Sequence, residues 1–598
     1  MLYISKTVLQ GAYRGLVKQN KANIDLLVLV SNGALLFSGH IFWANVSVVL
    51  YAVNHRLLHT VKSNAKSGLV DIFRQQSKSA WVLQDGVECE VPVTALTTDS
   101  VILVGAGEVI PVDGRIVQGI ATIDQHVLTG EAQPVEKLEG DEVFASTLVL
   151  SGRIQVRANQ IGEQTTAAQI GHILQRTADT KTPQQLQVET LSDKTVLPTL
   201  MAGMIAAPLF SSLGAIAIFQ AHFKHRMSIV SVIGLLNYLN LASHRGLLIK
   251  DGGVLETLHQ VNTVVFDKTG TLTEEVPEVA DIFLYDKVHT ENDILRYAAA
   301  AEGKQTHPIA RAIVHAARQR HIAIPEVTQA EYQVGYGLSV MVEEQLVQLG
   351  SLRFIRMSGI TFPDGLESKC IASAANGCSI VFVAVAGRLV ANITLQPKVR
   401  PEARQVIDKL KRRGVKKTYI ISGDQTIPTR QLAETLGIDD FFAEVLPEQK
   451  AQLIADLQQT GQSVCFVGDG INDCIAMQQA DVSVSLGNAA TAATDTAQVL
   501  LLDNHLAQLD DLFDLSDQCM SRVQTSYALV ALPGVISITG SLFFHFGLTT
   551  IMLLPQAGLA AGLLYSMYPL LRYGTGIPVQ NDYPHPLIES EDEYDKQL

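Results

Sequence analysis

One short segment of the sequence combines residue types that can accept a phosphoryl group. An apolar run from Val264 to Phe266 ends abruptly at Asp267, and Lys268, Thr269 and a glycine-containing turn follow. This pattern predicts a buried parallel β-strand that presents a carboxylate at its C-terminal end, where open α/β sheets bind ligands. A carboxylate that attacks a phosphoryl group forms an acyl phosphate. Such a transfer needs neutralisation of charge by Mg²⁺, a lysine and hydroxyl or backbone donors more than it needs acid–base chemistry.

Two later strand-like segments, 419–424 and 464–473, end in polar groups of the required types. The polar residues are, in chain order, Ser422, Asp424, Lys450 (between the two segments), Asp469, Asn472 and Asp473. A single aspartate at a strand end is equally well explained as the N-cap of the following helix. Three strand ends with aspartates, separated by helical segments, instead predict a doubly wound α/β sheet with a carboxylate-lined Mg²⁺ site.

The motifs D-K-T-G-T-L-T (267–273) and G-D-G-I-N-D (468–473) resemble those of the P-type ATPases, within the haloacid-dehalogenase-like (HAD-like) phosphotransferases. The resemblance extends from about residue 25 to 572. It implies that ATP is the substrate, that Asp267 is phosphorylated, and that Ser422, Asp424 and Lys450 surround the phosphoryl group. Serine stands at 422 where the family usually has threonine, and it keeps the hydroxyl. The Mg²⁺ ligands implied by the resemblance are Asp267, the backbone carbonyl of Thr269, Asp469 and Asp473.

Residues 69–160 predict a small β-rich module, because short runs of Val, Ile and Thr are broken there by Gly and Asp. The segments P-V-D-G-R (111–115), V-L-T-G-E (127–131) and Q-P-V (133–135) resemble the actuator domain of the same family. The resemblance implies that Glu131 positions the water that hydrolyses the aspartyl phosphate, which is a general-base-like role.

An insertion between the first two catalytic strands, roughly 283–393, is predicted to be an α+β nucleotide-binding domain. Four of its residues match the adenine-site pattern of the heavy-metal-transporting (CPx-type) class: Glu302, His307, Gly335 and Gly337. The match is incomplete, since Gln305-Thr306 and Gly350-Ser351 stand where that class has Ser-Glu and Gly-Asn. A histidine followed by proline is also explained as a helix cap, and glycines also permit close backbone packing.

The composition predicts a membrane protein. Of 598 residues, 47% are hydrophobic and only 17% are charged. The regions without Lys, Arg, Asp or Glu are 26–55, 195–223, 227–244 and 523–571. The first is either one long span or a tight hairpin that turns near Ser38 to His40, and basic residues on both flanks favour the hairpin. The last contains two helices that turn near His545 to Gly547. About six spans result, with both large polar segments on the cytoplasmic side.

The predicted multidomain order is a lead-in and first hairpin (1–60), an actuator domain (61–190), a second helix pair (191–250), a HAD-like phosphorylation domain (251–282 and 394–515) interrupted by the nucleotide-binding domain (283–393), a C-terminal helix pair (516–574) and an acidic tail (575–598). The first 20 residues are basic and amphipathic, which predicts a surface-lying helix or a solvated lead-in rather than a signal peptide. Six scattered cysteines predict reduced thiols. A net charge of −14 argues against a nucleic-acid partner.

The sequence departs from the heavy-metal class inside the membrane. Where that class has a Cys-Pro-Cys-type motif, this chain has Phe223-Lys224-His225, and none of the predicted spans contains a cysteine. One interpretation places Phe223 to Arg226 in a short outward loop between spans, which we favour from sequence alone. The other places Lys224 and His225 inside the membrane at the transport site, which would demand a functional reason. Substitute ligands are available in principle: Met227, Met552, Met567, His222, His225 and His545.

Two functions follow from the resemblance. The first is an ATPase that translocates a transition-metal or heavy-metal cation of unknown identity across a membrane, with an unknown transported-ion site. The second is a membrane ATPase that has lost transport and has a regulatory or scaffold role. A soluble phosphatase is disfavoured by the predicted spans. The expected location is a bacterial inner membrane, in contact with lipid, with the large domains in the cytoplasm.

Overall fold

A computed structural model describes residues 2–573 except 19–21, 72–78, 85–86, 126–133, 178–179, 181, 304, 306, 326, 328, 334–336, 362–376, 470–472 and 488–495. The chain begins with three helices: α1 (Leu2–Tyr13), α2 (Ile24–Phe37) and α3 (Ile41–Asp71). Helices α2 and α3 are joined by a turn at 38–40, where Gly39 has a φ of +78°. The predicted hairpin is therefore confirmed, and a single long span is excluded.

A β-rich module follows the first hairpin, as predicted. Its strands are β1 (Ser79–Gln84), β2 (Val87–Pro92), β3 (Val101–Gly105), β4 (Asp113–Asp124), β5 (Val135–Lys137), β6 (Glu142–Val143) and β7 (Leu148–Gln160). They form an antiparallel sheet in the order β2-β1-β3-β7-β4-β5, with β6 also paired to β4. Helix α4 (Thr166–Thr177) follows the sheet.

The next helices are α5 (Pro183–Leu209), α6 (Ser212–Gln220) and α7 (Lys224–His244). The phosphorylation and nucleotide-binding modules come after them. Their elements are β8 (Leu247–Ile249), α8 (Val254–Leu258), β9 (Thr263–Asp267), β10 (Glu278–Leu284), α9 (Glu291–Glu302), α10 (Pro308–Gln319), β11 (Gln329–Gln333), β12 (Gly337–Val342), β13 (Gln345–Gly350), α11 (Leu352–Met357), β14 (Ser379–Val385), β15 (Arg388–Gln396), α12 (Ala403–Arg412), β16 (Lys417–Ile421), α13 (Thr426–Leu436), β17 (Asp440–Phe442), α14 (Pro447–Gln459), β18 (Val464–Gly468), α15 (Cys474–Gln479), β19 (Val482–Leu486) and β20 (Val499–Leu501). Helices α16 (Gln508–Phe543) and α17 (Leu548–Tyr573) complete the described chain.

Two sheets organise these modules. The phosphorylation sheet has the order β17-β16-β9-β18-β19-β20-β8, and its pairs are parallel except for β8 with β20. The nucleotide module has an antiparallel sheet in the order β10-β15-β14-β13-β12-β11. Because β10 begins at Glu278 and β15 ends at Gln396, the predicted bounds of the nucleotide domain, 283 and 393, fall inside β10 and its neighbour β15. The inserted sheet extends five residues before and three residues after the predicted range, because both connecting strands belong to it.

The C-terminal helix pair turns at 544–547, as predicted, but α16 begins at Gln508 rather than near 516. Leu509 and Leu512 of its first turns are buried in the same core as Val264 and Phe266 of the phosphorylation sheet. One continuous helix therefore links the phosphorylation module to the apolar bundle. Among the described residues, three stretches are long and apolar enough to cross a bilayer: 226–244, 508–543 and 548–568. Helix α2 is apolar but shorter.

Three turns of the helical bundle lie at one end of it. They connect α2 to α3, α5 to α6, and α16 to α17. Residues beside the first and third turns, Leu35 and Leu548, pack in one cluster with Leu213 at the start of α6. The rings of Phe210 and Phe543 are 5.9 Å apart, which places the second turn beside the end of α16. The three turns therefore lie at the same level along the axis of the bundle.

The interruption between α6 and α7 lies well away from that level. Gly534 of α16 faces Ala221, because a Cβ on this glycine would lie 3.1 Å from the Ala221 carbonyl oxygen. Gly534 is nine residues before Phe543, and at 1.5 Å per residue this corresponds to about 14 Å. A hydrocarbon core is about 30 Å thick. Ala221, at the start of the interruption, therefore lies about 14 Å from the level of the turns, inside the bundle rather than in an outward loop.

The structure thus corrects the favoured outward-loop interpretation of Phe223 to Arg226. The outward turn is at Leu209 to Ser211, and it divides the single span predicted for 195–222. The Ser211 hydroxyl accepts a hydrogen bond from the Gly214 amide (3.1 Å) and caps α6. The turn escaped prediction because it contains no charged residue, although Pro208 and Ser211 are turn and cap signals.

Candidate functional site

The C-terminal end of β9 places Asp267 at the centre of the phosphorylation sheet, between β16 and β18. All five residues of β9 are buried, which accounts for its apolar sequence. After it, Thr269 (φ −79°, ψ 128°) and Gly270 (φ 76°, ψ −13°) have the angles of a type II turn. The second of these positions requires a positive φ, so glycine fits there with little strain. The turn spans Lys268 to Thr271 and follows Asp267 directly.

Lys450, near the start of α14, joins two carboxylates. Its Nζ donates to Asp267 Oδ1 and to Asp473 Oδ1, both at 2.6 Å. All three residues are at most 7% exposed. Burial and then the nearby Asp473 carboxylate raise the pKa of Asp267, and the ammonium of Lys450 opposes that rise. Burial acts to lower the pKa of Lys450, but the two carboxylates outweigh it and raise that pKa.

A second lysine and a hydroxyl complete the ring of polar groups. Lys268 Nζ forms an ion pair with Asp424 Oδ2. Ser422 follows β16 and is buried, and its hydroxyl accepts a hydrogen bond from the Asp424 amide (3.1 Å). The structure therefore brings Asp267, Lys268, Asp424 and Lys450 together at one edge of the sheet, with Ser422 beside them. This edge is where the sequence predicted them.

The residues at this edge fit a Mg²⁺ ion. Asp473 Oδ2 is buried and accepts no hydrogen bond from any residue that the structure describes. A buried carboxylate oxygen without a partner is costly unless a cation or a donor satisfies it. Asp469 follows β18 directly, and burial raises the pKa of Asp473. Carboxylate and carbonyl oxygens are the ligands that Mg²⁺ prefers, so Asp267, Asp469, Asp473 and the Thr269 carbonyl form a suitable donor set.

The predicted adenine-site residues are only partly described. Glu302, at the end of α9, is 4% exposed, and burial raises its pKa to about 7. His307 Nε2 lies 3.3 Å from Glu302 Oε2, but no hydrogen bond to that oxygen is formed within the described residues. His307 Nδ1 accepts from the Ala310 amide (3.2 Å), so this histidine caps α10. Its Nε2 therefore carries the proton of the neutral ring and points towards Glu302.

Gly337 has a packing explanation of its own. A Cβ there would lie 2.4 Å from the Phe354 ring and 2.6 Å from the Leu349 carbonyl oxygen. The glycine therefore permits close packing of β12, whether or not nucleotide approaches it. Three predicted positions, Glu131, Gly335 and Asn472, lie outside the described residues, and their roles stay predictions.

Two residues that the sequence motifs did not mark as functional hold neighbouring elements in place: one at the turn after Asp267 and one in the actuator domain. Arg400 donates from Nη2 to the Gly270 carbonyl (3.0 Å) and from Nη1 to the Asn504 carbonyl (2.7 Å), so it fastens the turn after Asp267. Asp113 accepts from the Ala145 amide (2.7 Å) and from the Thr166 amide (2.6 Å), which ties the actuator sheet to α4. The P-V-D-G-R motif contained a signal for Asp113, whereas no local pattern marked Arg400.

Known proteins share both the motifs and the architecture. A haloacid dehalogenase-like hydrolase family matches residues 261–481, and the P-type ATPase actuator domain family matches residues 74–175. A probable copper-importing P-type ATPase A from Enterococcus hirae is 28% identical over 87% of this chain and 74% of its own length. The crystal structure of a zinc-transporting PIB-type ATPase in an E2·Pi state superposes with a TM-score of 0.64 at 26% identity, covering 95% of this chain and 94% of the other. The chain carries a haloacid dehalogenase-like domain and a P-type ATPase actuator domain, and it resembles P-type ATPases over most of its length.

The chain also resembles copper-exporting P-type ATPases of Staphylococcus aureus, with 29% identity over 83% of the chain. It spans 64% of their length, which is less than two thirds. The relatives and the superposed structure confirm the predicted fold class: an α-helical bundle with an actuator domain, a HAD-like domain and an inserted nucleotide-binding domain.

Proposed function

We propose that this protein is a P-type ATPase that hydrolyses ATP through an aspartyl phosphate on Asp267 and couples the hydrolysis to translocation of a transition-metal cation. The observation that supports this most directly is the buried Lys450 ammonium, which lies 2.6 Å from the carboxylates of both Asp267 and Asp473. This arrangement keeps an otherwise costly pair of carboxylates ready for a phosphoryl group. The names of the copper-transporting and zinc-transporting relatives support the class of cation.

In the first step, an oxygen of Asp267 attacks the γ-phosphorus of ATP. A P–O bond to the aspartate forms, the bond to the bridging oxygen breaks, and ADP leaves with the electron pair. Lys450 and Lys268 supply positive charge to the equatorial oxygens, and the Ser422 hydroxyl supplies a donor. Mg²⁺, when held by the carboxylates described above, neutralises developing negative charge.

In the second step, water attacks the phosphorus of the acyl phosphate. Glu131 accepts the proton of that water, the P–O bond to Asp267 breaks, and inorganic phosphate and the free carboxylate are regenerated. Glu302 and His307 at the nucleotide module are proposed to contact the adenine, with Gly335 and Gly337 allowing close approach. The large domains are proposed to lie in the cytoplasm, at a bacterial inner membrane.

A second function is favoured by one observation. The interruption between α6 and α7 is followed by Lys224 and Arg226 rather than by thiolates, and fixed positive charge opposes cation binding. A membrane ATPase that has lost transport and acts as a regulator or scaffold would tolerate this segment.

The two functions separate in one experiment on purified protein. We expect ATP labelled at the γ-phosphate to give an acid-stable phosphoenzyme that Asp267→Asn abolishes and Glu131→Ala accumulates. ATPase activity is then measured with Cu⁺, Ag⁺, Zn²⁺, Cd²⁺, Co²⁺ and Mn²⁺ in turn. Strong stimulation by one ion supports transport. A flat response in a sample that still forms the phosphoenzyme supports the regulator, and absence of the phosphoenzyme from folded protein overturns both.

A further inference from the structure

Arg400 lies where the phosphorylation module and the inserted nucleotide module are joined. The two chain segments that connect these modules run side by side there. The Arg400 amide donates to the Leu272 carbonyl (3.0 Å), and Thr273 pairs with Val399 in an antiparallel bridge. The backbone of Arg400 is therefore fixed beside the end of the turn that follows Asp267.

The guanidinium of Arg400 joins that turn to a third segment. Its Nη2 donates to the Gly270 carbonyl oxygen (3.0 Å) and to Asn504 Oδ1 (3.2 Å), and its Nη1 donates to the Asn504 carbonyl oxygen (2.7 Å). Asn504 has a φ of +52° and lies shortly before α16, which begins at Gln508. One planar group thus contacts both the turn after Asp267 and the segment that enters α16, while its backbone belongs to the segment returning from the nucleotide module.

The oxygens that this guanidinium contacts in the described chain are backbone and amide oxygens rather than carboxylates. Its Nε is buried and has no hydrogen-bond partner among the described residues. Burial lowers the pKa of Arg400, and the carboxylates of Glu402 and Glu274 oppose that change. Desolvating a cation is costly, whereas a rigid fork of donors holds its acceptors at fixed positions. The arrangement therefore favours a geometric role for Arg400.

The position of the turn matters for the proposed Mg²⁺ site. The Thr269 carbonyl, one of the proposed ligands, directly precedes Gly270. A Cβ on Gly270 would lie 3.7 Å from the Cβ of Asp469, so the turn packs against a second member of the donor set. Mg²⁺ requires nearly ideal octahedral geometry, with ligand distances of about 2.0–2.1 Å. A small displacement of the turn from Asp469 would therefore weaken Mg²⁺ binding.

We propose that Arg400 is a positioning residue for Mg²⁺, which holds the turn 268–271 against Asp469 and makes its position depend on the segment that enters α16. Arg400 acts through the Gly270 carbonyl and is not itself a ligand. Because coupling between two sites is reciprocal, Mg²⁺ bound at the turn also stabilises the segment 502–507. This inference rests on the proposed function and adds the residue that sets the Mg²⁺ affinity of the site.

The first test separates Mg²⁺ affinity from the rate of the chemical step. Phosphoenzyme formation by the purified full chain is measured by rapid quench at a fixed concentration of labelled ATP while free Mg²⁺ is varied. Arg400→Gln removes the charge and the fork. We expect it to raise the half-saturating Mg²⁺ concentration by roughly 10- to 100-fold, while the rate at saturating Mg²⁺ falls by less than about threefold. Arg400→Lys keeps the charge without the fork, so a smaller shift in the same direction is expected. It also serves if the glutamine variant does not fold.

Arg404→Gln is the matched control for Arg400→Gln. Arg404 also donates to a backbone carbonyl, since its Nη1 lies 2.7 Å from the Thr435 carbonyl oxygen, but that acceptor is on α13. We expect its half-saturating Mg²⁺ concentration to equal that of the native chain. An unchanged Mg²⁺ dependence in Arg400→Gln overturns the inference while leaving the proposed function intact, and so does an equal shift in Arg404→Gln.

The second test uses Mg²⁺ alone, without nucleotide, and measures hydrogen exchange of the backbone amides. In the native chain, we expect Mg²⁺ to slow exchange both in the turn 268–272 and in the segment 502–507. In Arg400→Gln, saturating Mg²⁺ should still protect the turn but no longer the segment 502–507. Protection of that segment in both proteins, or in neither, overturns the inference. If the native chain forms no phosphoenzyme, the proposed function fails, and this second test alone decides whether Arg400 positions the turn for Mg²⁺.

Discussion

The edge of the phosphorylation sheet at Asp267 (the phosphorylation edge) and the predicted adenine site at Glu302, His307 and Gly337 (the nucleotide edge) both match family motifs. The matched residues are used differently in the two places. At the phosphorylation edge, Asp267, Lys450 and Asp473 contact one another directly, and Lys268 is paired with Asp424. At the nucleotide edge, Glu302 is buried, and its Oε2 has no hydrogen-bond partner among the described residues. The space beside Gly337 is already filled by the Phe354 ring and the Leu349 carbonyl oxygen.

This difference shows when a matched motif is enough to assign a function to a residue. Where the charges of a motif compensate one another in the fold, removal of one group leaves a buried opposite charge, and the motif reports chemistry. Where capping or packing already explains a motif residue, the match to the motif does not by itself show that the residue binds a ligand.

The largest effect is expected from Lys450→Met. The change leaves the Asp267 and Asp473 carboxylates buried beside each other without their shared cation, and it removes positive charge from the transition state. We expect the rate of phosphoenzyme formation to fall by roughly 10²- to 10³-fold, measured by rapid quench with labelled ATP at saturating Mg²⁺.

Lys409→Met is the control for Lys450→Met. Lys409 also pairs with a buried carboxylate, since its Nζ lies 2.8 Å from Asp510 Oδ2, but the pair is on α12 and α16 rather than at the strand ends. A rate close to that of the native chain is expected there. Comparable losses in both variants would mean that the Lys450 contacts are structural, and the comparison between the two edges would fail.

The intermediate effect concerns Glu302 and depends on pH. Because burial raises the pKa of Glu302 to about 7 from an ordinary value of 4.5, the folded state holds its proton more tightly than the unfolded state. Stability is therefore lost as the pH rises from about 4.5 to 7. Glu302→Gln imitates the protonated form, so we expect its free energy of unfolding to match that of the native chain near pH 4 and to exceed it by roughly 3 kcal/mol at pH 8.

Hydrogen exchange of the α9 amides measures this difference without requiring the whole chain to unfold in one step. Glu291→Gln, in the same helix but at an exposed position, should show no such pH dependence. The affinity of Glu302→Gln for ATP distinguishes a contact with adenine from a purely structural role of Glu302. If Glu302 contacts adenine, the Gln variant also binds ATP more weakly, whereas an unchanged affinity would assign Glu302 to the structure of the module alone.

The sequence was sufficient for the phosphorylation edge because local signals and tertiary position coincide there. Apolar runs such as Val264 to Phe266 predict buried strands, and parallel strands bring their C-terminal ends to one edge, so the aspartates that end them must meet. The bundle lacked such a signal. In the sequence, the uncharged turn at Leu209 to Ser211 cannot be distinguished from a continuous membrane span. Only the contact of Ala221 with α16 shows how deep the break between α6 and α7 lies. Arg400 is recognised only once Gly270 and Asn504 are neighbours in space.

The smallest effect is expected from Gly337→Ala, which asks whether this glycine serves packing or nucleotide. The added Cβ would meet the Phe354 ring and the Leu349 carbonyl oxygen, and the carbonyl belongs to the paired strand β13, so it cannot move freely. We expect a loss of about 1–2 kcal/mol in the stability of the nucleotide module, measured by exchange of the β12 and β13 amides. In the Gly337→Ala background, Phe354→Leu removes the ring and should recover part of the loss. If the module instead keeps its stability and binds ATP more weakly, the glycine serves the nucleotide, and the two edges of the molecule are more alike than their contacts indicate.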